Sequence, residues 1–153
     1  MENKKSLIDK VESFYVDIIE EFKEIELQII ADSKFRSIFK KKDYDGNIKN
    51  LRLCKKQVLN VEVDEKPFKG DEESMDVIKK FEKCLRLFNG VCDAYIQLQL
   101  ALKKKSQKQA ISYAEYREIF QKVQDSRDRL NGGLHELDIA YTNYTYDDEE
   151  FDF

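Results

Sequence analysis

The imidazole and thiol side chains that most often serve zinc binding and nucleophilic catalysis are here one histidine and three cysteines. His135 sits in Leu134-His135-Glu136-Leu137-Asp138. A zinc-protease helix needs a second histidine one turn away, and the residues four before and four after are Asn131 and Ile139. Di-iron bundles need paired Glu-x-x-His motifs, which the sequence does not contain. Cys54, Cys84 and Cys92 have no metal-ligand spacing and fall on apolar stripes. A cysteine nucleophile needs a base, and His135 is the one histidine on offer. Gly132-Gly133 is too short to cradle a phosphate. The expectation is a non-enzyme with no metal and no cofactor, in which the cysteines pack and His135 is solvated or interfacial.

Charge is more informative. Lys34 to Lys56 holds nine basic residues and two acids, and Glu136 to Phe153 holds seven acids and no base. The net charge of −4 conceals this asymmetry. Lys40, Lys41, Lys42 and Lys103, Lys104, Lys105 each follow a predicted helix, where cations complement the negative end of the dipole. If residues 47–70 carry the chain back along the first helix, both runs meet at one end of the molecule. That basic end can bind phosphates with salt-sensitive affinity, and Phe35, Phe39 and Tyr44 near it can stack on bases or fill the core. Arg127 interrupts an otherwise apolar row. It either fixes register or grips an anion as a buried charge, or it snorkels or pairs with an acid on a neighbouring helix.

The segment Tyr144, Thr145, Tyr146, Asp147, Asp148, Glu149, Glu150, Phe151, Asp152, Phe153 is the most distinctive. Four consecutive acids oppose a helix C-terminus, so the helix is expected to end before them. An acidic run ending in phenylalanine resembles the tip of bacterial and phage single-stranded-DNA-binding proteins. The resemblance covers about eight residues, lacks the Pro-Phe ending common in the bacterial tips, and does not extend to an OB-fold body. It implies a tail that docks on partner proteins. The alternative is a tail folded back, rings on the bundle and acids on its own lysines.

The elements that must position these residues are helices. Ile8, Val11, Tyr15, Ile18, Phe22, Ile25 and Ile29 recur at steps of three and four, a period strands cannot produce. That predicts a helix from about Ser6, with Glu26 off its seam and a bend near Asp32-Ser33. Asp43 to Asn47 reads as turn chemistry ending the helix. Residues 47–60 fit a short helix better than a strand. Pro67 and Gly70 close a linker. Asp71 to Ser74 caps a third helix over 72–108, whose row runs Val77, Phe81, Cys84, Phe88, Val91, Tyr95, Leu98, Leu102. Gly90 inside it suggests a close helix crossing. A fourth helix from Ser112 carries Tyr116, Phe120, Val123, Arg127, Leu130, Leu134, Leu137, Tyr141 and Tyr144. Ser126, Gly133 and Ala140 make a column of small residues beside that row, which close packing or a hinge at Gly132-Gly133 would explain.

One proline and five glycines argue against a sandwich or barrel. No stretch approaches the roughly 20 apolar residues of a membrane span, and acids interrupt any N-terminal signal-peptide core. The odd cysteine count fits reduced thiols in the cytoplasm. Heavy Lys and Ile use suits an AT-rich bacterial genome. The reading is all-α: an antiparallel bundle of three long helices and one shorter helix with coiled-coil-like packing, as one domain over 1–145 with an acidic, aromatic tail over 146–153. Phe81, Phe88, Tyr95, Phe120 and Leu134 are the expected core. The expected function is protein–protein interaction, as an adaptor, accessory subunit, or small inhibitor or immunity-type protein, through the bundle surface and the tail. The alternative is a nucleic-acid-associated accessory protein using the basic end. Homo-oligomerisation stays open.

Overall fold

The computed structural model of the chain describes residues 2–33 and 42–150, with side chains over 3–31 and 42–146. Phe35, Phe39, Lys40, Lys41 and Phe151 to Phe153 lie outside the described residues, as do the side chains of Asp147 to Glu150. The first helix comprises α1 (Glu2–Ser13), a wider π-helical turn (Phe14–Ile19) and α2 (Glu20–Ser33). Then come α3 (Tyr44–Leu59), a short 3-10 turn (Lys66–Phe68), α4 (Glu72–Ser106) and α5 (Tyr113–Glu150). The chain is a helical bundle, 87% helical and without strands among the described residues.

Cross-helix contacts fix the directions. Phe14 packs on Phe81, and Phe22 packs on Phe88 and Tyr95, so the first helix and α4 are parallel. Asn47 meets Gln99 and Lys55 meets Asp93, so α3 runs against α4. Tyr15 reaches Asp138 and Tyr141 reaches Glu12, so α5 runs against α1. The result is up-down-up-down. The short α3 covers half of the bundle's length, and the linker continues along the rest. Phe68 is buried there, and Lys10 Nζ donates to the Glu62 carbonyl at 2.6 Å.

Local chemistry explains the ends. The Asp71 carboxylate accepts from the Ser74 N–H at 3.3 Å and from its hydroxyl at 2.6 Å, capping α4. Those two bonds hold its carboxyl below the usual carboxylate range. Ser112 Oγ accepts from the Glu115 N–H at 3.1 Å in the same role for α5. Asp43 is also an N-cap, accepting from the Gly46 N–H at 2.9 Å. Asp43 therefore opens α3, and Tyr44 to Asn47 are helical. A capping aspartate and a turn aspartate share the same preference for bonding nearby N–H groups, so the sequence does not separate them.

Three further expectations are corrected. Leu7 and Phe14, rather than Ile8 and Tyr15, hold buried core positions in the first helix. The π turn takes in extra chain, so the apolar face before it is displaced from the face after it. Phe120 is 43% exposed and Leu134 is half-buried, whereas Phe81, Phe88 and Tyr95 are in the core as expected. And α5 continues through Asp147 to Glu150. Its C-terminal turns are anchored by Tyr144 and Thr145, both buried, with the Tyr144 hydroxyl 2.6 Å from Ser74 Oγ.

The glycines separate clearly. A Cβ on Gly133 would meet Leu87 Cδ1 at 2.7 Å and Cys84 Sγ at 3.5 Å, so α5 packs closely on α4 at the small column. A Cβ on Gly90 or Gly132 would meet nothing within 4 Å, so Gly90 marks no close crossing. Gly90→Ala and Gly132→Ala are expected to stabilise by up to about 1 kcal/mol each through helix propensity. Gly133→Ala is expected to give no gain, because the new methyl displaces Leu87. Urea midpoints of the three variants test this ordering, and equal gains at all three would remove the close contact at Gly133.

Candidate functional site

The four rows of apolar residues do not close everywhere. Between α2, the start of α3, the last third of α4 and the first half of α5 lies an open hollow of about 640 Å³. Ile29 and Ile30 come from α2, Leu98 and Leu102 from α4, and Tyr116, Phe120 and Val123 from α5. Lys42 and Tyr44 stand at the start of α3. Ile30 and Phe120 are each 43% exposed on opposite walls of the hollow. Among the described residues, a partly exposed phenylalanine on a concave surface with other large apolar side chains has the composition of a binding hollow. Tyr116 stacks on Phe120 with ring centroids 6.3 Å apart, and Lys105 Nζ sits 5.8 Å above the Tyr116 ring.

The polar floor is internally satisfied. The Arg127 fork grips Glu26 from Nε at 2.8 Å and from Nη2 at 3.1 Å. Its Nη1 donates to Asn131 Oδ1 at 2.7 Å, and the guanidinium lies 5.7 Å from the Phe22 ring centroid. The Tyr95 hydroxyl donates to the same Glu26 carboxylate at 2.7 Å. Burial, with that bond to an anion, pushes the Tyr95 phenol up from its ordinary value. Beside them the buried pair Asn47 and Gln99 share a 3.1 Å bond. Arg127 is thus the arginine paired with an acid of a neighbouring helix. Its partner Glu26, expected off the seam, borders the buried row one residue after Ile25 and four after Phe22, which brings its carboxylate to Arg127. A polar-tipped residue in each of two apolar rows, Arg127 and Tyr95, was the readable sign of this network. The exposure of Phe120 had no such sign, since its row position assigns it inward, whereas Ile30 lies off the row that ends at the buried Ile29.

The lysine runs converge in part. Lys42 and Lys103 to Lys105 are at the same end of the bundle, where Lys103 Nζ donates to Asp45 at 2.7 Å and Lys104 is exposed. The carbonyls of all three accept from the Gln107 N–H at the end of α4. Tyr144 is spent on packing, with Lys4 Nζ 4.5 Å over its ring, and Tyr146 is 58% exposed at the opposite end of α5.

Elsewhere the chemistry is quiet. His135 is exposed on α5. Cys54, Cys84 and Cys92 are free and buried. Burial first, and Glu21 second, push the Cys54 thiol up to about 11. Burial and Glu136 push Cys84 up to about 12, and burial also raises Cys92. Raised pKa values make these thiols poor nucleophiles. The unfolded chain loses thiol protons near 9, while the folded chain holds them to about 11 or 12. Over that window the unfolded state binds fewer protons, so stability is full below about pH 9 and is expected to fall as pH rises. Urea midpoints at neutral and stepwise alkaline pH measure it. A midpoint unchanged to pH 11 would mean that the thiols are not buried. Among the described residues no group of three His, Cys, Asp or Glu is placed to hold a metal, and no helix is long and apolar enough to cross a membrane. Comparison of the chain with protein-family models, curated proteins and solved structures returned no match.

Proposed function

We propose that the chain is a non-enzymatic protein-interaction module that takes an apolar segment of acidic character into the hollow at its basic end. The observation that carries this is Phe120, 43% exposed in a hollow that Leu98, Leu102, Tyr116 and Lys42 also line. Apolar walls with Lys42 at the edge suit an apolar segment that carries carboxylates, and charge complementarity speeds the encounter. The polar groups beneath are already hydrogen-bonded to one another, which suits a fixed floor better than a reacting centre. The reading places the protein in the cytoplasm, in keeping with three free buried thiols. Recognition of nucleic acid by the same end is less well supported, because Lys103 is tied to Asp45 and the pI is about 5.2.

The test is affinity capture with the full chain and with Phe120→Asp, after circular dichroism shows that the variant keeps the helical signal. A partner retained by the native chain and lost by the variant is the expected result. An identical captured set would reject the hollow as the docking site. A gel shift with nucleic acid that Phe120→Asp leaves intact and added salt abolishes would favour the phosphate-binding reading instead.

A further inference from the structure

We infer that the groove between the linker after α3 and the middle of α4 takes, as an added strand, an extended peptide of a partner protein in which aliphatic and cationic residues alternate. The site is separate from the hollow and stands without it.

The linker is built like a strand that lacks a neighbour. The side chains of Val61, Glu62, Val63 and Asp64 are half-buried and exposed in turn, the period of an extended chain. Val61 and Val63 pack on the core, and the Glu62 carbonyl accepts from Lys10 of α1. Carbonyls alternate sides along an extended chain. Those of Val61 and Val63 therefore point away from α1, to the α4 side, as does the Val63 N–H. Among the described residues, nothing bonds these two carbonyls or the N–H groups of Glu62, Val63, Asp64 and Glu65. An open row of backbone groups is what an added strand pairs with.

The groove on that side has a volume of about 540 Å³. Val58 and Leu85 in it are buried, and Leu59 beside them is 69% exposed. Asn89 also lines it, half-buried, and its Oδ1 has no hydrogen-bond partner among the described residues. A turn of the amide brings that oxygen to the groove, where a peptide N–H satisfies it. An added strand sends its side chains to the floor and to solvent in turn. Floor positions meet Val58 and Leu85 and call for aliphatic residues. Solvent positions stand beside Glu62 and Asp64, and opposite charges across paired strands are stabilising. Glu65 and Glu82 extend the acidic edge against Arg86 and Lys66. Burial first, and Glu65 second, raise the Glu82 carboxyl above its ordinary value, so a cation placed there is welcome.

The rest of the chain does not reach the groove. Segment 34–41 is anchored at both ends near Lys103, which bonds Asp45. Out and back, its nine links span at most about 16 Å, and Asn89 lies fourteen residues down α4 from Lys103, about 21 Å. At the other end Tyr144 meets Ser74, and α5 then runs on to Glu150, away from Glu82. Glu150 is about 21 Å from Glu82 along the axis, and the last three residues reach about 11 Å.

Amide NMR titration of the full chain tests this, with an acetylated and amidated hexapeptide that alternates lysine and valine as the probe. Saturable shifts are expected at the Val63 N–H and the Asn89 side chain, with a sub-millimolar Kd. A peptide with glutamate for lysine is expected to bind at least about ten-fold more weakly. An added strand turns alternate N–H groups to the edge. Of two peptides N-methylated on the lysines or on the valines, one should therefore lose at least ten-fold and the other bind like the parent. Glu82→Lys is expected to weaken binding at least ten-fold, and Asp64→Lys replaces it if circular dichroism shows a loss of helix. No saturable shift at Val63 up to millimolar peptide, equal binding of the glutamate peptide, or like behaviour of the two methylated peptides overturns the inference.

Discussion

Phe88→Ala is expected to cost about 3–5 kcal/mol, the largest effect of any single substitution considered for this protein. Phe88 is fully buried near the middle of α4. Its ring meets Phe14 at 5.9 Å and Phe22 at 5.2 Å, both edge-on. Truncation removes the transfer free energy of the ring and leaves a cavity that three helices cannot easily close. It also strips two aromatic contacts worth about 0.5–1.5 kcal/mol each beyond buried area. Because a domain is stable by only about 5–15 kcal/mol, the variant is expected to be partly unfolded near its growth temperature. Phe88→Leu keeps most of the volume and should cost under about 1.5 kcal/mol. Urea unfolding followed by circular dichroism gives both numbers. A loss below 1 kcal/mol for alanine would mean that the packing of α4 on the first helix is misassigned.

The second large effect is expected at the floor of the hollow. Arg127→Met should destabilise by about 2–4 kcal/mol, somewhat less than breaking a fully buried pair, because the Arg127 side chain is 24% and that of Glu26 13% exposed. The loss comes mainly from Glu26, left nearly buried with the Tyr95 hydroxyl as its remaining partner in this network. The double variant Glu26→Gln, Arg127→Met removes both charges and should recover more than half of the loss. That recovery separates a stranded charge from lost packing of the arginine on Phe22. A double-mutant cycle on urea midpoints measures the coupling. If Arg127→Met alone costs under 0.5 kcal/mol, or the double variant is no better than the single one, the ion pair is not what holds α5 to the first helix.

The helices, their number and their directions were legible in the sequence because each is long enough for its period to be counted. The rows on α4 and α5 alternate steps of three and four over many turns, and a repeat of that length fixes a buried face whatever the neighbours are. Capping chemistry marked the starts at Asp71 and Ser112. The polarity of the bundle followed from short connections and from where the lysine runs fall. Tertiary structure alone decided which row residues find a partner. Phe81 and Phe88 meet the first helix, whereas Phe120, in an equally regular row, lines the hollow and stays 43% exposed. Periodicity reports the direction in which a side chain points and carries no information about whether another helix is there. The π turn at Phe14–Ile19 was likewise invisible. It changes helical phase without changing composition, and it is what puts Leu7 and Phe14 in the core in place of Ile8 and Tyr15. The same holds for the glycines, since only the distance to Leu87 separates Gly133 from Gly132. The hollow is therefore a tertiary fact: it lies where, among the described residues, the helices stand apart at one end of the bundle.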